Sequence, residues 1–210
     1  MENLICYKQM PVWNVNTLPQ MFQEQHNTKV GTWAKLTILS GSLKYFELTE
    51  DGEVLSETVF DTEHQPPFVA PQVWHKVQAL SDDLTCQLAF YCTPEDFYAK
   101  KYNLTTTHSE VLNAVNYVKG GKALDLGCGR GRNSLYLNLL GFDVTAVDYN
   151  EESIDFLNRI IEKEGLSNIS TDIYDINQAT IGSQVGEFDL IVSTVVMMFL
   201  NRDRIPSIIE

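Results

Sequence analysis

The chain has 210 residues, 44% of them hydrophobic, and its 28 acidic against 15 basic side chains give a formal net charge of −13. That much apolar material can bury one sizeable core or two small ones, while a charge of this sign argues against nucleic acid or an anionic membrane as a partner. No run of 18 apolar residues occurs and Met1-Glu2-Asn3 lacks a basic-then-apolar leader, so a soluble, cytoplasmic protein is expected.

Residues 1–95 read as short strands punctuated by turns at Ser40-Gly41, Glu50-Asp51-Gly52, Pro66-Pro67 and Ser81-Asp82-Asp83. Residues 84–91 alternate with period two, the pattern of a sandwich or barrel strand. A small all-β domain is expected here. Cys6, Cys86, Cys92 and Cys128 form no Cys-x-x-Cys pair, which points to reduced thiols. Thr93-Pro94-Glu95-Asp96, with its proline and polar residues, reads as a linker and divides the chain into domains 1–95 and 96–210. Both are acidic, with 5 Lys/Arg against 12 Asp/Glu in the first and 10 against 16 in the second.

From residue 96 onward helices and strands alternate. Thr107 and Glu110 have the spacing of a capping box, and Val111, Leu112, Val115 and Val118 share one helical face before Gly120-Gly121. A strand over residues 123–126 runs into Gly127-Cys128-Gly129-Arg130-Gly131. The next helix has Leu135, Leu139 and Leu140 as its buried stripe and ends at Gly141. An apolar strand from Phe142 ends in Asp148, a helix from about Glu151 buries Ile154, Leu157 and Ile161 as far as Gly165, and strands follow at 169–175 and 188–192. Four β units separated by helices or loops predict a parallel sheet, whose ligands bind outside the carboxyl ends of the strands.

Several acids and the glycine loop fall at those ends. Glycines at alternate positions let the backbone turn sharply and approach a ligand. A dinucleotide fingerprint would need a sixth-position glycine, where Arg132 stands. Asp125 would repel a pyrophosphate but attract an ammonium group, and Asp148 could accept from both hydroxyls of a ribose. Asp175 and Ile176 suit the amine and ring of an adenine. S-adenosylmethionine carries all these groups. Plainer readings stay open: helix capping for Asp148, an ordinary loop acid for Asp175, and core for Met197, Met198 and Phe199 in the apolar run that begins at Ser193.

The run Asp-Leu-Gly-Cys-Gly-Arg-Gly-Arg-Asn-Ser-Leu-Tyr-Leu (125–137), with Asp148, Asp175 and Ser-Thr-Val-Val-Met-Met-Phe-Leu (193–200), resembles the class I S-adenosylmethionine-dependent methyltransferases, and closely the tellurite-resistance methyltransferases. The likeness extends upstream through residues 101–110. It implies a Rossmann-like parallel sheet binding S-adenosylmethionine, with Tyr102 and His108 closing over the cofactor and Asp125, Gly127, Gly129, Arg130, Asp148, Asp175, Ile176 and Ser193 lining it; Arg130 and Ser193 would lie near the methyl acceptor. For His108, capping of the helix near Glu110 is the open alternative. The family's sheet has seven strands, so a sheet incomplete at its carboxyl edge is expected for a sequence ending at Glu210.

The implied activity is methylation of tellurite, and of selenite, as detoxification. A chalcogen oxyanion carries its own lone pair, so no general base is required. Its charge would need the cationic side chains of Lys100, Lys101, Arg130 and Arg132. The alternative is a non-catalytic module that binds S-adenosylmethionine or senses a small ligand. A small molecule is the expected partner, and homodimerisation stays open. The phrases His26-Asn27-Thr28-Lys29, Gly41-Ser42-Leu43 and Pro66-Pro67-Phe68-Val69-Ala70-Pro71-Gln72-Val73-Trp74-His75 resemble a cupin-like amino-terminal domain. Its metal motif is degraded: Ala34 stands where a glutamate would be and no His-x-His pair precedes it, so His26, His64 and His75 are expected to be structural and no metal is assigned.

Overall fold

Two sets of strands, one antiparallel and one parallel, organise the computed structural model, which describes residues 3–176, 187–196 and 198. The chain divides into units Met1–Lys101 and Tyr102–Glu210.

In the first unit β1 (Ile5–Asn14), β6 (Thr85–Cys92) and β2 (Trp33–Ser40) form one antiparallel sheet in the order β1-β6-β2. A second sheet has the order β4-β3-β5, from β3 (Ser42–Leu48), β4 (Val54–Asp61) and β5 (His75–Ala79). Trp13, Ile38, Cys86 and Leu88 from the first sheet and Leu43, Phe60 and Val77 from the second share one apolar cluster, so the two sheets face each other. The period-two reading of residues 84–91 holds where it matters, with Cys86 and Leu88 buried on the inner face. Gly41 alone joins β2 to β3. Its φ is +69°, and a Cβ there would stand 2.7 Å from the Leu84 nitrogen, so the turn admits no side chain.

The stretch read as a linker is a 3-10 turn, Pro94–Asp96, running directly into α2 (Phe97–Tyr102) after the single-turn α1 (Gln20–Gln23) far upstream. Phe97 and Tyr98 are buried, and Lys100 Nζ donates to the Val30 carbonyl at 2.9 Å and to Thr32 Oγ1 at 3.1 Å. All four cysteines are free, with Cys86, Cys92 and Cys128 buried.

The second unit holds a parallel sheet of order β10-β7-β8-β9, formed by β7 (Gly121–Leu126), β8 (Phe142–Asp148), β9 (Ile169–Ile173) and β10 (Leu190–Val192). Among the described residues it has these four strands. The direction of winding changes at β7, with β8 on one side and β10 on the other, which is where such sheets open a ligand crevice. Ala123 through Leu126 are buried, as expected of a central strand covered on both faces. Helix α3 (Ser109–Ala114) precedes β7, α4 (Arg132–Leu139) connects β7 to β8, and α5 (Glu151–Glu164) connects β8 to β9. Among the described residues no helix is long and apolar enough to cross a membrane.

Four local readings need correction. The Thr107–Glu110 box does not form: α3 begins one residue later, and the His108 side chain caps it by accepting from the Glu110 N–H at 3.3 Å. Helix α4 is buried continuously from Asn133 to Leu137, while Leu140 is 41% exposed. The reason is that polar residues of its first turn find partners: Asn133 Oδ1 accepts from the His108 N–H at 3.1 Å and Ser134 Oγ donates to Asp125 at 2.6 Å. Met198 is 73% exposed rather than core; Met197 and Phe199 lie outside the described residues. The fourth is in helix α5, which is capped by Asn150 and ends at Gly165 as expected: it buries Ile154 and Leu157, but its third buried position is Ile160 and Ile161 is half-buried.

Candidate functional site

The loop between β7 and α4 lies at the carboxyl edge of the parallel sheet. Gly127 has φ +69°, and a Cβ built there would stand 2.2 Å from Val196 Cγ2, so the segment after β10 rests directly on the loop backbone. Gly129 has φ +54°, and nothing lies within 4 Å of its would-be Cβ: that side of the loop is open. The end of β8 holds the loop in place. Asp148, buried, accepts the Gly129 N–H on Oδ2 at 2.8 Å and the Asn150 N–H on Oδ1 at 2.9 Å. Each carboxylate oxygen retains a further lone pair for a ligand hydroxyl.

Two adjoining cavities flank this loop and share Gly127, Ser153 and Thr194. The first, about 580 Å³, is lined by Asp148 on one side and Asp175 and Ile176 on the other. The second, about 440 Å³, is lined by Gly129, Arg130, Arg132 and Asn133, and among the described residues no carboxylate lines it. The guanidinium of Arg130 lies 4.9 Å over the Phe156 ring, and Arg132 reaches Thr105 Oγ1 at 3.4 Å. Lys100 and Lys101, the other members of the expected cationic group, belong to the first unit, and Lys101 Nζ stands 5.0 Å over the Phe97 ring.

Gly127, Gly129, Arg130, Asp148, Asp175 and Ile176 thus converge on one cleft. Four other candidates do not line it. The Tyr102 hydroxyl donates to Glu164, and His108 serves as the cap of α3. Asp125 is fully buried behind the loop, with Oδ2 held by Ser134 and Oδ1 unpartnered; burial pushes its carboxyl up to about 6 against the opposing pull of the Ser134 hydrogen bond. Ser193 Oγ is likewise buried and without a partner. Unpartnered buried oxygens of this kind, on adjacent strand ends, fit a ligand or water bringing donors to the back of the loop. Burial and the carboxylates of Asp125 and Asp148 push the Cys128 thiol far up, so it is no nucleophile.

The cleft also uses residues not singled out above. Thr194 lines both cavities and accepts from Asn133 Nδ2 at 2.9 Å, and Tyr149, Ser153 and Tyr174 line the first. A polar residue two positions after the last loop glycine, as Asn133 is, is the available signal for the first of these links; Tyr149 and Ser153 follow Asp148 within five residues.

The chain has counterparts among known proteins. Residues 90–210 match the family described as tellurite resistance protein TehB, and residues 8–88 match a TehB-like domain. A Haemophilus influenzae protein described as a probable S-adenosyl-L-methionine-dependent methyltransferase TehB is 62% identical over 209 residues, covering 100% of this chain and 72% of that protein. The crystal structure of TehB from Haemophilus influenzae matches with a TM-score of 0.94 at 62% identity, over 99% of this chain and 71% of that one. Hemagglutinin 1 of Eikenella corrodens is 40% identical over 171 residues, covering 81% of this chain and 56% of that protein.

Proposed function

The chain belongs to the TehB tellurite-resistance family, and we propose that it is an S-adenosylmethionine-dependent methyltransferase acting on a chalcogen oxyanion, tellurite first and selenite second. The observation that carries this reading is the Asp148 carboxylate, locked by two backbone N–H groups at the rim of a 580 Å³ cavity with Asp175 and Ile176 opposite. When bound, S-adenosylmethionine supplies an electrophilic methyl carbon on a sulfonium.

The residues present fit that group. Asp148 would offer lone pairs to the two ribose hydroxyls, Asp175 would accept from the adenine amine, and Ile176 would cover the ring. Asp125 places a negative charge behind the loop for the ammonium end, its unpartnered oxygen awaiting a donor. Arg130 and Arg132 give the adjoining cavity a cationic lining in an acidic protein, which favours an anionic acceptor there. With S-adenosylmethionine bound, a chalcogen lone pair would take the methyl carbon and the carbon–sulfur bond electrons would stay on the departing S-adenosylhomocysteine. No side chain has to take a proton, so the chain's task is alignment and exclusion of water.

Calorimetry with S-adenosylhomocysteine, followed by transfer of labelled methyl to tellurite and selenite, tests the two halves separately. The expected result is binding of the nucleoside and labelled product from both oxyanions. Binding without transfer to either would overturn the acceptor, and no binding at millimolar concentration would overturn the cofactor.

A further inference from the structure

The first unit encloses a cavity of about 420 Å³ between its two sheets, which the methyl-transfer reading does not use. Its walls are largely apolar, with Trp13, Leu36, Val77 and Leu88 among them. Into it come two imidazoles, His26 and His75, whose ring centres are 4.2 Å apart; the Tyr45 ring stacks on His75 at 5.4 Å.

The hydrogen bonds of the two imidazoles define what they can offer. His26 Nδ1 lies 2.9 Å from the Glu24 carbonyl and His75 Nδ1 lies 2.8 Å from the Val73 carbonyl. A carbonyl only accepts, so both Nδ1 atoms carry protons and both neutral rings present Nε2 as a lone pair. Burial keeps them neutral, lowering His26 and taking His75 to about 4. His75 is 6% exposed, and neither Nε2 has a hydrogen-bond partner among the described residues. Two imidazoles lining one cavity, each with an unused acceptor, can take a donor from its occupant.

Charge supplies the second constraint. Residues 1–95 hold 5 Lys/Arg against 12 Asp/Glu, yet Lys8, Lys29 and Lys100 all line this cavity and, among the described residues, no acid does. Lys100 is held in place by the Val30 carbonyl and Thr32. A cation is therefore disfavoured, and among the described residues no group of three or more His, Cys, Asp or Glu side chains gathers that could hold a metal.

We propose that this cavity binds a small organic acid: an apolar or aromatic body against the walls, a carboxylate toward the lysines, and a hydroxyl or N–H group donating to the Nε2 atom of His26 or of His75. Every residue of this lining belongs to the first unit.

Titration calorimetry of the full chain with para-hydroxyphenylacetate, phenylacetate and tyramine tests each element. Para-hydroxyphenylacetate is expected to bind once per chain, phenylacetate about tenfold more weakly for lack of the donor, and tyramine not measurably. Lys8→Gln combined with Lys29→Gln changes two exposed side chains and is expected to weaken both acids by about tenfold, leaving S-adenosylhomocysteine binding unchanged. In the double variant His26→Phe with His75→Phe the two acids should bind alike; should that variant not fold, the lysine pair and the three-compound comparison still decide. Absence of binding by para-hydroxyphenylacetate, tyramine binding as well as the acids, unchanged affinity in the lysine variant, or displacement of the acid by S-adenosylhomocysteine would each overturn the proposal.

Discussion

In the second unit the cleft lies at the ends of parallel strands, lined by a glycine loop, the Asp148 and Asp175 carboxylates and the Arg130 and Arg132 side chains, whereas in the first unit the cavity sits between two antiparallel sheets and is walled by side chains from five strands. Strand ends are loops, where a glycine can strip the backbone bare and an acid can reach it; a sandwich interior has no free backbone to offer. The first arrangement suits a ligand recognised by hydrogen bonds along its length, and the second suits one recognised by shape with a few polar anchors. The same residue type therefore has opposite meanings in the two units.

Glycine substitutions break this contrast most severely. Gly127→Ala adds a methyl 2.2 Å from Val196 Cγ2 at a positive φ, and should destabilise the chain by about 4 kcal/mol from overpacking and backbone strain together, read as a drop in thermal midpoint. Gly129→Ala meets nothing within 4 Å, so its stability cost is only the strain, about 1–2 kcal/mol, but it fills the open side of the loop. Its expected signature is a loss of S-adenosylhomocysteine affinity larger than its loss of stability. Equal losses in the two measurements would show that the loop is packing and not a binding surface.

Asp148→Ala comes next. It leaves the Gly129 and Asn150 N–H groups without their carboxylate and removes the ribose acceptor, which should weaken S-adenosylhomocysteine binding by about 3 kcal/mol, roughly a hundredfold. Wild-type affinity in this variant, measured by calorimetry, would make Asp148 a turn-stabilising residue and nothing more.

How much of this is legible in the sequence depends on the region. Strands β7 and β8 and the glycine loop are plain because an apolar run, alternate glycines and a terminal acid are local signals that one strand end imposes. Helix α4 is not, because Asn133 and Ser134 look like surface residues until His108, Thr194 and Asp125 bring them partners from elsewhere in the chain. Tyr102 and His108 stand in the right segment, yet their side chains are taken by Glu164 and by the first turn of α3. In the first unit, period-two alternation shows which residues of residues 84–91 face inward but not that the interior is hollow: the lining runs from Tyr7 to Lys100, and only closure of both sheets brings His26 against His75.

The two units also differ in the sign of their response to pH, the smallest and most discriminating effect. Asp125 has a folded carboxyl at about 6 against 3.8 unperturbed, so the native state binds its proton more tightly; its contribution to stability is greatest below 3.8 and is lost as pH rises through about 6, by roughly 3 kcal/mol. His75 runs the other way. Its folded imidazole stands at about 4 against 6.5, the unfolded state binds the proton more tightly, and stability present above 6.5 is lost, by a similar roughly 3 kcal/mol, as pH falls toward 4. In the whole chain the two slopes offset over nearly the same window. Single variants separate them: in Asp125→Asn, amide exchange in β7, corrected for intrinsic rates, should lose its decline in protection with rising pH, and in His75→Gln the amides of β5 should lose their gain. Should both strands keep their wild-type slopes in these variants, the buried charges that distinguish the two interiors are not where the pH response originates.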